Sequence, residues 1–193
     1  MESRERLLEA AKRLFAKHGF ERTATLTIAH EAGTSESQLV RYFQTKAGLL
    51  EAIFDESWLR LNQAIQQVVV AATNAREALV GVLETVIGAF SRDPDLAHLL
   101  LFEGRRIRGS SSEVLLSKGF VDFENLLRVL IQRGRKDGSF REDLNPFAMA
   151  SALLGATEAM IRDRLMKRET VSDEELRAIF SAVLEGFAPP QKR

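Results

Sequence analysis

The stretch TIAHEAGTSESQLVRYF, residues 27–43, joins two short helical segments across a Gly-Thr-Ser break. Apolar spacing predicts helices over 27–32 and 36–43. Isolated helices below about 12 residues are marginal, because nucleation is costly, so each must be held by neighbours. Ile28, Ala29 and Ala32 face inward from the first segment and Leu39 and Phe43 from the second, with Phe15 and Phe20 placed to cover them. Gly33 permits the sharp turn. Ser35 and Gln38 have the S-x-x-Q spacing of a capping box, which gives the second helix a firm start. Glu36, Ser37, Gln38, Arg41 and Tyr42 are then left on its outer face. Such a helix fits the DNA major groove, where Gln pairs with adenine, Arg with guanine and Ser with several base edges. The same spacing equally suits a plain three-helix bundle with a solvated polar face.

Outward from this centre the chain reads as all-α, with about nine helices, because apolar residues recur at three- and four-residue spacing and alternating β-branched runs are scarce. A first helix over 3–18 places Leu7, Leu8, Ala11, Leu14 and Phe15 on one face and stops at Gly19. A long helix runs from Lys46 into the low seventies, where Thr73 and Asn74 break it. Further helices are expected over 76–91, from Pro94, over 111–135 with a Ser110/Glu113 capping box, over 145–168, and from a Ser172/Glu175 capping box to the segment before Pro189-Pro190. No internal repeat is present. The expected organisation is a DNA-binding domain over 1–48, with its helix-turn-helix at about 24–43, and a helical domain over 49–193.

Of the 193 residues 45% are hydrophobic, enough for a substantial core. No run approaches the ~20 apolar residues that span a bilayer, and charges in MESRERLLEAAKR stand where a signal peptide needs an apolar region, so no membrane and a cytoplasmic location are expected. Charge is balanced at 27 basic and 27 acidic residues, so no global field points to a partner. Residues 1–48 carry a small basic excess, eight Lys/Arg against six Glu. With no cysteine, disulfides, thiolate metal sites and cysteine nucleophiles are excluded. His18, His30 and His98 are scattered, and Asp95 with His98 has no second carboxylate-x-x-His pair to complete a di-metal bundle site. No phosphate loop and no G-x-S-x-G elbow occurs. No catalytic residue, metal or cofactor is therefore expected, and the chain does not read as an enzyme.

The segments RLFAKHGF, IAHEAGTS, LVRYF and KAGLL resemble, in that order over residues 1–54, the TetR family of transcriptional regulators. Here Ala24 and Thr25 stand where similar proteins usually have Thr and an aliphatic residue, Val40 replaces a frequent tyrosine, and Thr34 a frequent valine. The resemblance implies a homodimer, double-stranded pseudo-palindromic operator DNA, and repression relieved by an unknown small-molecule effector bound in the carboxy-terminal domain. Thr25, Thr34, Ser35, Ser37, Gln38, Arg41, Tyr42 and Lys46 are the DNA-binding candidates, with Tyr42 and Lys46 assigned to phosphates and Ser37, Gln38 and Arg41 to bases. Trp58, Phe90, Phe102, Phe120 and Phe123 either line the implied pocket or are core. Arg105, Arg106 and Arg108 either offset a helix dipole or reach a ligand anion. On the last two helices Leu153, Met160, Leu176, Phe180 and Leu184 form a dimer surface, unless a monomer buries them internally. The rival to a ligand-responsive repressor is an α-helical small-molecule-binding or adaptor protein with a degenerate DNA-binding domain.

Overall fold

Helix starts in this chain are set largely by short polar side chains that take up the free amides of a first turn. The computed structural model describes residues 2–103, 117–166 and 172–190. Among them are nine helices and no strand: α1 (Ser3–His18), α2 (Thr25–Glu31), α3 (Glu36–Phe43), α4 (Lys46–Ala71), α5 (Ala75–Arg92), α6 (Pro94–Phe102), α7 (Lys118–Asp137), α8 (Pro146–Leu165) and α9 (Asp173–Gly186). Ser35 accepts from the Gln38 amide, Asp93 from Leu96, Asn145 from Phe147 and Ala148, and Ser172 from Glu175. The Thr73-Asn74 break is a cap of the same kind. Asn74 Oδ1 accepts from the Glu77 amide at 2.9 Å, and the Glu77 carboxylate accepts from the Thr73 amide at 2.8 Å.

Two helix starts differ by two residues or more from those expected. α2 begins at Thr25, two residues early, after Ala24, which offers no side-chain cap and so left no mark in the sequence. α7 begins at Lys118 after a non-helical Ser117, where a continuous helix from 111 was expected. The Ser110/Glu113 box and Arg105, Arg106 and Arg108 lie outside the described residues.

The chain forms two compact units, Met1–Arg60 with Asp93–Gly119, and Leu61–Arg92 with Phe120–Arg193. In the first, α6 packs on α1 and so belongs to the amino-terminal unit. Lys12 fastens that contact. Its side chain is only 14% exposed, and the ammonium meets Asp93 at 2.5 Å and Glu9 at 2.9 Å. Burial alone lowers the Lys12 pKa, but the hydrogen bonds and charges of Asp93 and Glu9 outweigh it and raise it above the ordinary value.

In the second unit Leu79, Val82, Leu83 and Ile87 of α5, Leu127, Leu130 and Ile131 of α7, Met149 and Leu153 of α8, and Leu176, Phe180 and Leu184 of α9 make the core. Arg177 holds Glu84 through a two-point pair, Nε to Oε1 at 2.6 Å and Nη2 to Oε2 at 2.8 Å, fixing α9 on α5. Three carboxylates that serve as caps sit below their ordinary range. The Thr73 hydroxyl and amide lower Glu77, and the Ser172 amide and hydroxyl lower Glu175. At Asp137 burial opposes ionisation but is outweighed by the Ser139 hydroxyl, the Ala75 and Ser139 amides and the charge of Arg133. Groups depressed in the folded state stabilise above their unfolded pKa and lose that contribution as pH falls through the folded one. Thermal melts taken from pH 6 to pH 3 should therefore show a fall beginning near the ordinary carboxylate range of about 4. Glu77→Gln and Glu175→Gln should flatten that fall; melts with unchanged slope in both variants would contradict it.

Candidate nucleic-acid interface

Leu7, Leu8, Ala11 and Phe15 of α1 form the floor on which α2 and α3 rest through Ile28, Ala29, Ala32, Leu39 and Phe43, all buried. Phe15 meets Phe20 with ring centroids 5.2 Å apart. The Arg6 guanidinium donates from Nε to the Ala32 carbonyl at 2.9 Å and so closes the carboxy-terminal end of α2. Gly33, at φ 61°, takes the left-handed turn between the two helices. Arg4 reaches the Glu56 carboxylate of α4 at 2.5 Å and lies 5.5 Å from the Phe43 ring.

With Leu39 and Phe43 fixed, the helical period fans the other side chains outward in the order Val40, Ser37, Arg41, Gln38, Tyr42. Ser37, Arg41 and Tyr42 are exposed and Gln38 is half-buried. Among the described residues Arg41 has no ion pair and the Gln38 side chain no hydrogen bond. The expected capping box is therefore only half formed: Ser35 Oγ accepts from the Gln38 amide at 3.3 Å, while the Gln38 carboxamide stays available to a base edge. The Ser35 and Ser37 hydroxyls are bonded to each other at 2.8 Å. Thr25 is bonded through Oγ1 to the Glu36 carboxylate, which ties the start of α2 to the start of α3. Thr34 is half-buried and its amide donates to the Ala29 carbonyl at 2.9 Å.

Lys46 has a different partner set from the phosphate expected of it. Its Nζ donates to the carbonyls of Phe20, Glu21 and Thr23 at 2.9, 3.3 and 3.1 Å, and stands 4.5 Å from the Phe20 ring. An ammonium has three donors and all three point at the α1–α2 turn. Lys46 is thus a clamp that holds this turn to the start of α4, a tertiary role invisible in local sequence. Thr23 works beside it, its buried hydroxyl donating to the Gly19 carbonyl at 2.8 Å; sequence reasoning missed it, since only its burial distinguishes it. Lys46→Ala is expected to lower stability by about 2 kcal/mol, the scale of hydrogen bonds to a charged group, as read in a thermal melt. An unchanged melting temperature would show the clamp to be idle.

The corner between α3 and α4 is strained. Gln44 sits at φ 64°, ψ −49°, and the Thr45 amide donates to the Phe43 carbonyl at 2.7 Å, a γ-turn of positive φ. The Phe43 carbonyl then lies where a Cβ on Gly48 would meet it at 2.3 Å, which is why KAGLL needs its glycine. Thr45 Oγ1 accepts from the Gly48 amide at 2.9 Å and caps α4. Relief of strain against the entropy of an added glycine gives Gln44→Gly a net gain of about 1 kcal/mol, or about 2–4 °C in Tm. A lower Tm in that variant would contradict the strain.

The aromatic set divides between the units. Trp58 and Phe102 belong to the first, Phe90, Phe120 and Phe123 to the second. Trp58 is buried against the start of α7, where a Cβ on Gly119 would meet the Trp58 Cβ at 2.2 Å, so its position is explained by packing. Phe102 stacks near His98, ring centroids 4.7 Å apart. Phe123 is buried and Phe90 and Phe120 are half-buried.

The dimer-surface residues need correction. Leu153, Leu176, Phe180 and Leu184 are buried inside the chain itself, and Met160 is half-buried. An apolar stripe does not reveal which neighbour covers it, and here α9 packs on both α5 and α8. The outward faces of α8 and α9 carry Ser151, Ala152, Gly155, Ala178, Ile179 and Ala182. Among the described residues no group of three or more His, Asp or Glu could hold a metal ion, and no helix is long and apolar enough to cross a membrane.

Residues 7–53 match the model of a family described as bacterial regulatory proteins, tetR family. The HTH-type transcriptional repressor KstR2 of Rhodococcus jostii is 24% identical over 187 residues, covering 97% of this chain and 92% of its own. The nucleoid occlusion factor SlmA of Vibrio vulnificus is 28% identical over 194 residues, with 94% and 95% covered. The transcriptional regulator FadR of Bacillus subtilis, solved in complex with stearoyl-CoA, superposes with a TM-score of 0.82 at 20% identity, over 94% of this chain and 95% of its own.

Proposed function

We propose, from the match of residues 7–53 to the tetR family of bacterial regulatory proteins, that the chain is a dimeric, ligand-responsive repressor of that family that reads operator DNA through α3. The observation that carries this reading is the outward fan of Ser37, Arg41 and Gln38, with the Arg41 and Gln38 side chains unengaged on a helix locked from beneath by Leu39 and Phe43. Arg41 and Gln38 read base edges; Tyr42, Thr34 and the amides at the start of α4 meet phosphates. Lys46 acts on DNA by holding the domain in shape. A gel shift against the DNA flanking the protein's own coding region tests the reading. A discrete complex that resists competition by random DNA supports it, and smearing alone, with no preferred fragment, speaks against it.

Two recognition helices on one face of DNA must sit about 34 Å apart, one helical turn. In this reading the second copy packs through the outward surface of α8 and α9, where Ala152, Gly155, Ala178 and Ala182 let helices approach closely and Ile179 supplies an exposed apolar anchor. The effector enters among the helices that bear Phe90, Phe120 and Phe123. The likeness to FadR makes stearoyl-CoA the first effector to try. An effector with a 100-fold preference for the wrongly spaced dimer supplies at most about 2.7 kcal/mol per site, and operator DNA must weaken its binding by the same factor.

A further inference from the structure

Val40 is used neither by the core nor by the base-reading assignment. It is 51% exposed on an eight-residue helix, at the flank of the outward fan opposite Tyr42. Helix stability does not call for it, because a β-branched residue is a mediocre helix former at an exposed position. Its neighbour one turn earlier is Glu36, whose carboxylate is held on the same flank by the Thr25 hydroxyl. A phosphate approaching that side meets negative charge, so the flank suits a base edge better than the backbone. The apolar group that the major groove offers is the C5-methyl of thymine. That methyl lies toward the groove wall formed by its own strand, where the flank of an inserted helix passes rather than its crest.

We propose that Val40 reads a thymine methyl in each half-site of the operator, a specificity contact that rests on the DNA-binding reading of α3. The apolar contact adds to the hydrogen bonds of Arg41 and Gln38 and discriminates thymine from cytosine at a position those two do not reach.

Selection from random-sequence DNA with the full-length protein gives the binding site, and each thymine is then replaced singly by deoxyuridine, which removes the methyl and nothing else. One thymine per half-site should show an affinity about 3- to 10-fold lower as deoxyuridine, the scale of one buried methyl-sized group. At that position Val40→Ala should bind thymine and deoxyuridine alike, while its melting temperature is unchanged or higher. Should the alanine variant melt earlier, Val40→Thr, which keeps the shape and one methyl, should show the smaller deoxyuridine effect instead. If no thymine is methyl-dependent, or if the dependence persists undiminished in these variants, the contact is overturned although DNA binding stands. If selection returns no sequence at all, the DNA-binding reading fails, and this proposal with it.

Discussion

Arg41→Ala is expected to weaken operator binding by about 5- to 150-fold, the range of the 1–3 kcal/mol that a two-point arginine–guanine contact supplies. Random DNA should be bound nearly as well as before, since the lost discrimination is confined to one base pair. The expectation follows from the state of the side chain: Arg41 is exposed, and among the described residues it has no ion pair to break before it can meet a base. Gln38→Ala should act in the same way at a different position, with adenine as the base whose preference relaxes. Lys46→Ala should behave otherwise. Because Lys46 clamps the α1–α2 turn, its loss weakens specific and random binding together and is accompanied by a lower melting temperature. Anisotropy titrations of the three variants against operator and scrambled DNA, at one fixed salt concentration, separate these patterns. Equal losses on both DNAs for Arg41→Ala would sink its role as a base reader.

Two neighbouring substitutions on α9 should have opposite consequences. Phe180 is 6% exposed and Ile179 is 50% exposed. Phe180→Glu removes a buried aromatic, at about 3–5 kcal/mol, and also leaves an unpaired carboxylate in an apolar core, at several kcal/mol more. That sum consumes most of the about 5–15 kcal/mol by which a domain is stable, so this variant should unfold or aggregate. Ile179→Glu keeps the core intact and should retain the wild-type circular dichroism spectrum. In the proposed dimer it would set like charges against each other across the α8–α9 surface, and it should convert dimer to monomer at micromolar concentration. Sedimentation decides between the possibilities. A wild type that is already monomeric, or an Ile179→Glu dimer as tight as the wild type, would remove α8 and α9 from the interface.

The contrast at 179 and 180 also shows where the sequence stopped being informative. Helix type and most helix starts were legible because they depend on local chemistry: Ser35, Asn145 and Ser172 cap as their spacing required, and Gly19 and Gly33 turn where expected. The start of α2 was not, because Ala24 has no side chain with which to announce it. The outer face of α3 followed from subtraction once Leu39 and Phe43 were taken as core. What an apolar stripe packs against is a tertiary fact, which is why Leu153, Leu176, Phe180 and Leu184 read as an interface and are core instead. Lys46 and Lys12 follow the same rule. The carbonyls that Lys46 holds stand 23 to 26 residues away and the Asp93 that Lys12 holds stands 81 away, and nothing local distinguishes a clamp or a latch from a solvated lysine.

Sequence reading by α3 is measured most directly by the ratio of affinities for the selected operator and for a scrambled duplex of the same composition, taken at physiological salt with the full-length protein. Specific readers of DNA reach ratios of about 10³ or more, whereas binding through phosphates alone has no such preference. The predicted result is a ratio of at least about 10³ that collapses toward unity when Arg41 and Gln38 are both replaced by alanine. A wild-type ratio near one would contradict base reading by α3, and would leave that helix as the polar face of a helical bundle.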